Sequence, residues 1–162
     1  RRSVSAEKRR QSPAPGEWIL MIQFTVYGEP VAQGRPRATN INGHIRMYDP
    51  KKSSDFKNYV RLVASEHRPD KLLEGPISLT VKVYKKSLKS FSKKKIAAAE
   101  AGELRPTSKP DVDNYAKSIK DALKNVIWKD DSQVVDLHIS KWYSETPRVE
   151  IAIKELEVCK TS

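Results

Sequence analysis

The alternation of hydrophobic and polar residues predicts four strands. β-Branched and aromatic residues over 21–27 are typical of a first strand, and apolar residues at every second position over 77–84 predict another. Two further strands are expected at 133–143 and 148–156. Because these last two are consecutive, we expect them to pair antiparallel within a mixed sheet.

Two main helices and a short one are predicted between the strands. Asp49-Pro50 resembles an N-cap followed by proline at the first helical position, and the helix ends before Pro69. A short helix is expected near 96–103, and the second main helix starts near Asp113. Their apolar stripes are Phe56, Tyr59, Val60 and Val63, and Tyr115, Ile119, Leu123 and Val126. The predicted fold is α/β (α+β), a small mixed sheet of about four strands packed by two main helices.

The remaining segments show no such pattern. Residues 1–17 contain prolines and basic side chains, so 1–20 are predicted to be a disordered basic arm or a non-native extension. One folded domain is expected over 21–156, followed by a short tail over 157–162. Residues 28–42 are rich in turn formers and include Arg35 and Arg37.

Charge makes a polyanion the expected partner. The chain has 162 residues and a formal net charge of +11. The positive charge is concentrated in two segments, 1–10 and 82–95. The second segment contains seven lysines and no acidic residue. Clustered basic residues favour nucleic acid, because neutralising phosphates releases counterions. The alternative is a solvated basic surface.

Other features exclude several classes of protein. A single cysteine, Cys159, excludes an internal disulfide framework, and the longest apolar run, 18–22, is far shorter than the roughly 20 residues of a membrane-spanning helix. We expect a soluble cytoplasmic protein without a membrane partner or an organic cofactor. His44, His67 and His138 lack the spacing of metal ligands.

The candidate chemistry lies at Asp111, Asp113 and Lys117. In an extended chain the two aspartates project to the same side, and Lys117 lies one helical turn beyond Asp113. Adjacent carboxylates repel unless a cation lies between them, and oxygen ligands favour Mg²⁺ or Mn²⁺. The alternatives are a helix cap and a ladder of opposite charges along a solvated helix face.

A second acidic pair, Asp130-Asp131, follows the predicted helix. A strand returning beside the start of that helix would bring Asp131 to the first pair. Three carboxylates around a divalent ion, beside a lysine, form an arrangement suited to phosphodiester hydrolysis.

The run KPDVDNYAKSIKDALKNVIWKDDSQVVD resembles the signature of the RusA family of Holliday-junction resolvases, found in phages and prophages. The upstream FTVYGEPVAQGRPR is similar to the first strand and basic loop of phage-type members. The resemblance extends from Met21 to about Leu156. It implies a homodimeric, Mg²⁺-dependent endodeoxyribonuclease that cuts four-way DNA junctions by paired symmetrical incisions.

The resemblance also implies residue roles. The metal-binding aspartates correspond to Asp111, Asp113 and Asp131, and the essential lysine to Lys117. Asp130 is the less certain member of its pair. Asp121 is placed outside the site, because eight residues separate it from Asp113. The lysine-rich stretch and the basic arm depart from the shortest family members.

The candidates for binding DNA phosphates form two groups. A solvated surface is the alternative for the first group, Arg35, Arg37, Arg46, Lys51 and Lys52. The second group is Lys85, Lys86, Lys93, Lys94 and Lys95, whose like charges repel unless a polyanion relieves them. Trp128, Trp142 and Tyr143 are expected to pack rather than to stack on bases. Phe91 is expected to anchor its loop, and a DNA wedge is the alternative. Two rival functions remain: a non-catalytic nucleic-acid-binding module, and a nuclease acting on flaps or forks.

Overall fold

A computed structural model describes residues 18–157 as a four-stranded sheet, a separate two-stranded ribbon and three helices. The sheet strands are β1 (Trp18–Tyr27), β4 (Ile77–Lys86), β5 (Val134–Ser144) and β6 (Arg148–Leu156). The ribbon consists of β2 (Arg37–Ile41) and β3 (His44–Tyr48), and the helices are α1 (Lys51–Ser65), α2 (Lys93–Glu100) and α3 (Val112–Leu123). The predicted mixed α+β class is confirmed. The predicted arm over 1–17, Cys159 and the rest of the tail beyond Glu157 lie outside the described residues.

The sheet order is β1-β6-β4-β5, with β4 parallel to β5 and the other neighbours antiparallel. The expected pairing of the last two strands is therefore wrong, because β4 lies between them. The three residues that connect β5 to β6 can span the roughly 10 Å across one intervening strand. The central position buries β4 most completely, since Ile77, Leu79, Val81 and Val83 are all fully buried.

The core lies between this sheet and helices α1 and α3. Val60 on α1 and Ile119 on α3 are buried among the inward residues of the strands. Tyr59 is 44% exposed, so its predicted place on the apolar stripe is wrong. The inner face of α1 instead includes Lys57 and Ala64, which follow the 3.6-residue period with Val60. None of the described helices is long and apolar enough to cross a membrane.

Three element boundaries differ from the sequence prediction. β1 begins at Trp18, three residues earlier than expected, so 18–20 belong to the strand. The turn-rich 28–42 region leads into the ribbon, whose two-residue loop Asn42-Gly43 has φ values of 52° and 78°. Both are the positive values that a tight hairpin requires. Helix α2 begins at Lys93, because Ser92 accepts a hydrogen bond from the Lys95 backbone at 3.3 Å.

Candidate active site

An open cleft of about 360 Å³ lies where α1, α3 and the turn before β5 meet. Its lining residues are Gln33, Asp49, Lys57, Lys117, Lys120, Asp121 and Asp131. The cleft therefore combines three carboxylates with three ammonium groups. Such a surface can bind a cation through its carboxylates and a phosphate through its ammonium groups.

Lys57 is the least exposed charged group of the cleft. Its side chain is 6% exposed, and its Nζ lies 2.6 Å from Asp49 Oδ2 and 2.8 Å from Asp121 Oδ2. Burial by itself lowers the pKa of Lys57, but the hydrogen bonds and charges of Asp121 and Asp49 outweigh it and raise the pKa above its ordinary value. The hydrogen bond from Lys57 lowers the pKa of Asp49 against the effect of burial. This pair stays ionised across the neutral range.

Helix α3 carries the first aspartate pair and Lys117. Asp111 is at the N-cap position with φ −74° and ψ 155°, and the helix starts at Val112. The expectation that Asp111 and Asp113 lie side by side in extended chain is therefore wrong, since Asp113 is already in the first helical turn. Lys117 follows one turn later. Asp121, which the sequence prediction places outside the site, follows after another turn and lines the cleft.

Two lysines hold the loop that enters α3. Lys85 Nζ donates to the Lys109 carbonyl at 3.2 Å. Lys141 Nζ donates to the carbonyls of Ser108 at 2.9 Å and Pro110 at 3.0 Å. These bonds connect β4 and β5 directly to the residues before Asp111, so the sheet positions the start of the helix.

The members of the second acidic pair have different roles. Asp130 accepts from the Ser132 backbone at 2.9 Å, and its own backbone N–H donates to Gln133 Oε1 at 2.8 Å, which forms a capping box for a short 3₁₀ turn. Asp131 lines the cleft, and its Oδ1 accepts from Trp128 Nε1 at 2.9 Å. Trp128 is fully buried, which confirms that it packs in the core. Asp131 is thus the member of the pair that faces the site.

The basic loop after β1 is attached at the rim of the cleft. Gln33 donates from its backbone to the Asn114 carbonyl at 3.0 Å and from Nε2 to Asp49 Oδ1 at 3.1 Å. The Gly34 backbone donates to Ser53 Oγ at 3.0 Å. Arg35, the next residue, is exposed. The loop therefore presents its first arginine beside the site.

The other predicted DNA-binding residues occupy two kinds of environment. Arg37 lies exposed on β2, and Lys93, Lys94 and Lys95 lie exposed in the first turn of α2. Lys85 and Lys86 have partners within the chain instead, since Lys86 Nζ donates to the Glu145 carbonyl at 2.8 Å.

The aromatic side chains near the sheet pack as expected. Phe91 meets Tyr143 edge to face, with 5.2 Å between ring centroids, which supports its role as a loop anchor. Trp142 stacks against Tyr84 on one side of the sheet and lies beneath the Arg105 guanidinium.

The structure brings together two of the four predicted catalytic residues, Lys117 and Asp131. Asp111 and Asp113 are exposed at the start of α3 and are not among the lining residues. Within residues 18–157, no three His, Cys, Asp or Glu side chains form a group that could hold a metal ion. Oxygen donors without His or Cys nonetheless match the ligand preference of Mg²⁺.

Sequence reasoning assigned no site role to Lys57, Lys120 or Gln33, and its prediction of Asp49 as the N-cap of α1 is wrong. Pro50 occupies the N-cap position, and Asp49 pairs with Lys57. One signal was available for Lys57, because it lies next to Phe56 on the face that continues to Val60 and Ala64. A lysine on the inner face of a helix requires a buried partner.

The part of the chain that matches a known protein family includes the whole site. The family model for endodeoxyribonuclease RusA matches residues 27–154. The chain belongs to the RusA family. The matched residues include the ribbon, all three described helices and every lining residue of the cleft.

Two relatives differ in how closely they match this RusA-family chain. An uncharacterized protein, YqaN, from Bacillus subtilis (strain 168) is 63% identical over 137 residues, covering 83% of this chain and 96% of the relative. The crossover junction endodeoxyribonuclease rusA of Lactococcus phage r1t is 26% identical over 140 residues, covering 83% of this chain and 97% of the phage protein.

Proposed function

We propose that this chain is a Mg²⁺-dependent endodeoxyribonuclease that resolves Holliday junctions during DNA recombination and repair. The observation that carries the proposal is the cleft, which places Asp131 and Lys117 together within the region that matches the RusA family. The name of the phage relative, a crossover junction endodeoxyribonuclease, supports the choice of substrate.

In this proposal Asp111, Asp113 and Asp131 hold Mg²⁺, with Mn²⁺ as a substitute. Asp131 faces the cleft, while Asp111 and Asp113 belong to the end of α3 that precedes Lys117. A bound divalent ion supplies an activated water and neutralises charge on the reacting phosphate. The hydrogen bond from Trp128 orients the Asp131 carboxylate for metal binding.

Lys117 has the role of stabilising the scissile phosphate. Neither Lys117 nor Lys120 forms an ion pair with any of the described residues, so both ammonium groups can donate to phosphate oxygens. A positive charge that is already in place beside the reacting phosphate stabilises the charge that develops there. Lys57 has a different role, because both carboxylates beside it already occupy its ammonium group.

The negative charge of DNA matches the positive charge of the exposed basic side chains. Arg35, Arg37, Lys93, Lys94 and Lys95 are the exposed candidates for phosphate binding, and Lys85 and Lys86 join them only by leaving their present partners. Replacing Lys93, Lys94 and Lys95 with alanine should lower the salt dependence of DNA binding by about 0.9 in log–log slope for each phosphate that the variant no longer neutralises. An unchanged slope would remove α2 from the DNA-binding surface.

The proposed assembly is a homodimer. One cleft per chain cuts one strand, and paired symmetrical incision requires two opposed clefts. Two-fold symmetry in the protein matches the two-fold symmetry of a four-way junction.

The deciding experiment uses Asp113→Asn on a synthetic four-way junction, with Asp70→Asn as a matched control on an exposed loop. We expect Asp113→Asn to abolish Mg²⁺-dependent cleavage while it still binds the junction, and Asp70→Asn to cleave normally. Comparable cleavage by both variants would remove Asp113 from the metal site.

A panel of labelled junctions, flaps, forks and duplexes, each with and without Mg²⁺, separates the rival functions. A non-catalytic module binds without incision, and a flap or fork nuclease prefers those substrates to the four-way junction.

A further inference from the structure

The β2–β3 ribbon is separate from the four-stranded sheet and exposes both of its faces. Of its strand residues, all except Thr39 are exposed, including Ile45 at 73% and Met47 at 64%. A two-stranded ribbon has little stability of its own in water. Both faces of the ribbon are therefore accessible to a partner outside the chain.

The two faces of the ribbon differ in chemistry. Directly paired residues point to the same face, so one face is formed by three cross-strand pairs: Arg37 with Tyr48, Thr39 with Arg46, and Ile41 with His44. We name this the basic face. The opposite face carries Ala38 with Met47 and Asn40 with Ile45. No acidic residue occurs in either strand.

The base of the ribbon joins the cleft. Gln33 precedes β2 and Asp49 follows β3, and the hydrogen bond of 3.1 Å between their side chains closes the base. Both residues line the cleft. Strands of five residues extend about 17 Å, which equals the length of about five base pairs of duplex DNA.

We propose that the basic face of the ribbon lies in a groove of one duplex arm of the substrate and holds that arm at a set distance from the cleft. The inference rests on the proposed nuclease function. The major groove of DNA accepts a two-stranded ribbon, and the guanidinium groups of Arg37 and Arg46 match the charge of the phosphates along it. A surface with two arginines and no acid fits this partner better than a second copy of the same surface, which would repel it.

The test measures binding without Mg²⁺, so that no cleavage is needed. Arg37→Gln combined with Arg46→Gln is compared with wild type on junctions whose arms, closed by loops, extend either about ten or about three base pairs from the branch. We expect wild type to bind the short arms more weakly and the double variant to bind both alike. On long arms the log–log salt slope should fall by about 1.8 in the double variant, since each neutralised phosphate contributes about 0.9.

Two control variants define the comparison. Arg68→Gln removes one exposed charge beyond the end of α1 that is far from the ribbon in sequence, and α1 itself is about 22 Å long. Asn40→Ala changes a polar residue on the opposite face of the ribbon. Both should retain the arm-length dependence of wild type.

Several outcomes would overturn the proposal. An arm-length dependence that survives in the double variant, with an unchanged salt slope, would show that the ribbon does not contact DNA. A changed oligomeric state in sedimentation, at unchanged DNA affinity, would identify a second copy as the partner of the ribbon. If wild type bound no junction at all, the proposed nuclease function would fall together with the ribbon contact.

Discussion

Lys57 Nζ lies 2.8 Å from Asp121 Oδ2 and so joins the inner face of α1 to the cleft side of α3. Asp49 completes the arrangement from the other side of the ammonium group. The three side chains differ in exposure: 6% for Lys57, 35% for Asp49 and 55% for Asp121. Because only the lysine is buried, the cost of breaking these pairs depends on which partner is removed.

Removing the carboxylates should cost more than removing the lysine. Asp49→Asn combined with Asp121→Asn leaves a buried ammonium group without a counter-charge, and we expect a loss of about 3–5 kcal/mol in the free energy of unfolding. Lys57→Met leaves two carboxylates that water can reach, so a loss of about 1–2 kcal/mol is expected. Urea unfolding of each variant gives both values.

The triple variant provides the control for this comparison. Adding Lys57→Met to the two asparagine substitutions should recover stability, because it removes the unpaired buried charge. Additive losses in the triple variant would show that the three groups do not interact.

The stabilisation from Lys57 should vary with pH only at the extremes. Asp49 has a pKa lowered from 3.8, so its contribution is present above that value and is lost as the pH falls through the lower folded pKa. Lys57 has a pKa raised from 10.5, so its contribution is present below that value and is lost as the pH rises through the higher folded pKa. The stability difference between wild type and Lys57→Met should therefore be constant from about pH 5 to 9. A titratable step inside this window would contradict the assignment.

Trp128→Phe tests whether the indole positions Asp131. The substitution keeps an aromatic ring in the core but removes the Nε1–H donor to Asp131 Oδ1. Loss of a hydrogen bond to a metal ligand weakens metal binding by about 10–100-fold. With Asp131 as the proposed Mg²⁺ ligand, cleavage should therefore require at least about tenfold more Mg²⁺.

Trp142→Phe serves as the matched control, because its indole donates to Ser140 rather than to an acid. An equal shift in the Mg²⁺ requirement of both variants would show that Trp128 acts through general stability alone.

Gly34→Ala should displace the basic loop from α1. A Cβ atom at this position would lie 2.8 Å from Pro50 Cγ and 2.9 Å from Ser53 Oγ, which is closer than real Cβ contacts come. We expect a loss of about 1–3 kcal/mol in unfolding free energy. With Arg35 as a proposed phosphate contact, DNA binding should weaken as well. Gly75→Ala is the comparison, since its nearest contact is an ordinary 3.4 Å to Glu155. Equal stability of the two variants would rule out the close approach.

Features that depend on local spacing were predictable from the amino-acid sequence. Alternating apolar residues located β4, and the stripe containing Tyr115 and Ile119 located α3. The run from Lys109 to Asp136 carried the family signature, and the family match over 27–154 confirms it. These features were predictable because each is encoded within a single element or a short stretch of chain.

Which of these residues contact one another depends on how the helices pack on the sheet. Lys57 and Asp121 are 64 residues apart, and no local pattern relates them. The same holds for the position of β4 between the last two strands, and for the choice of Asp131 over Asp130 as the residue that faces the cleft. Periodicity shows which face of an element is apolar. The packing of α1, α3 and the sheet determines which charged groups share the cleft, because a buried charged group is stable only when a group of opposite charge lies beside it.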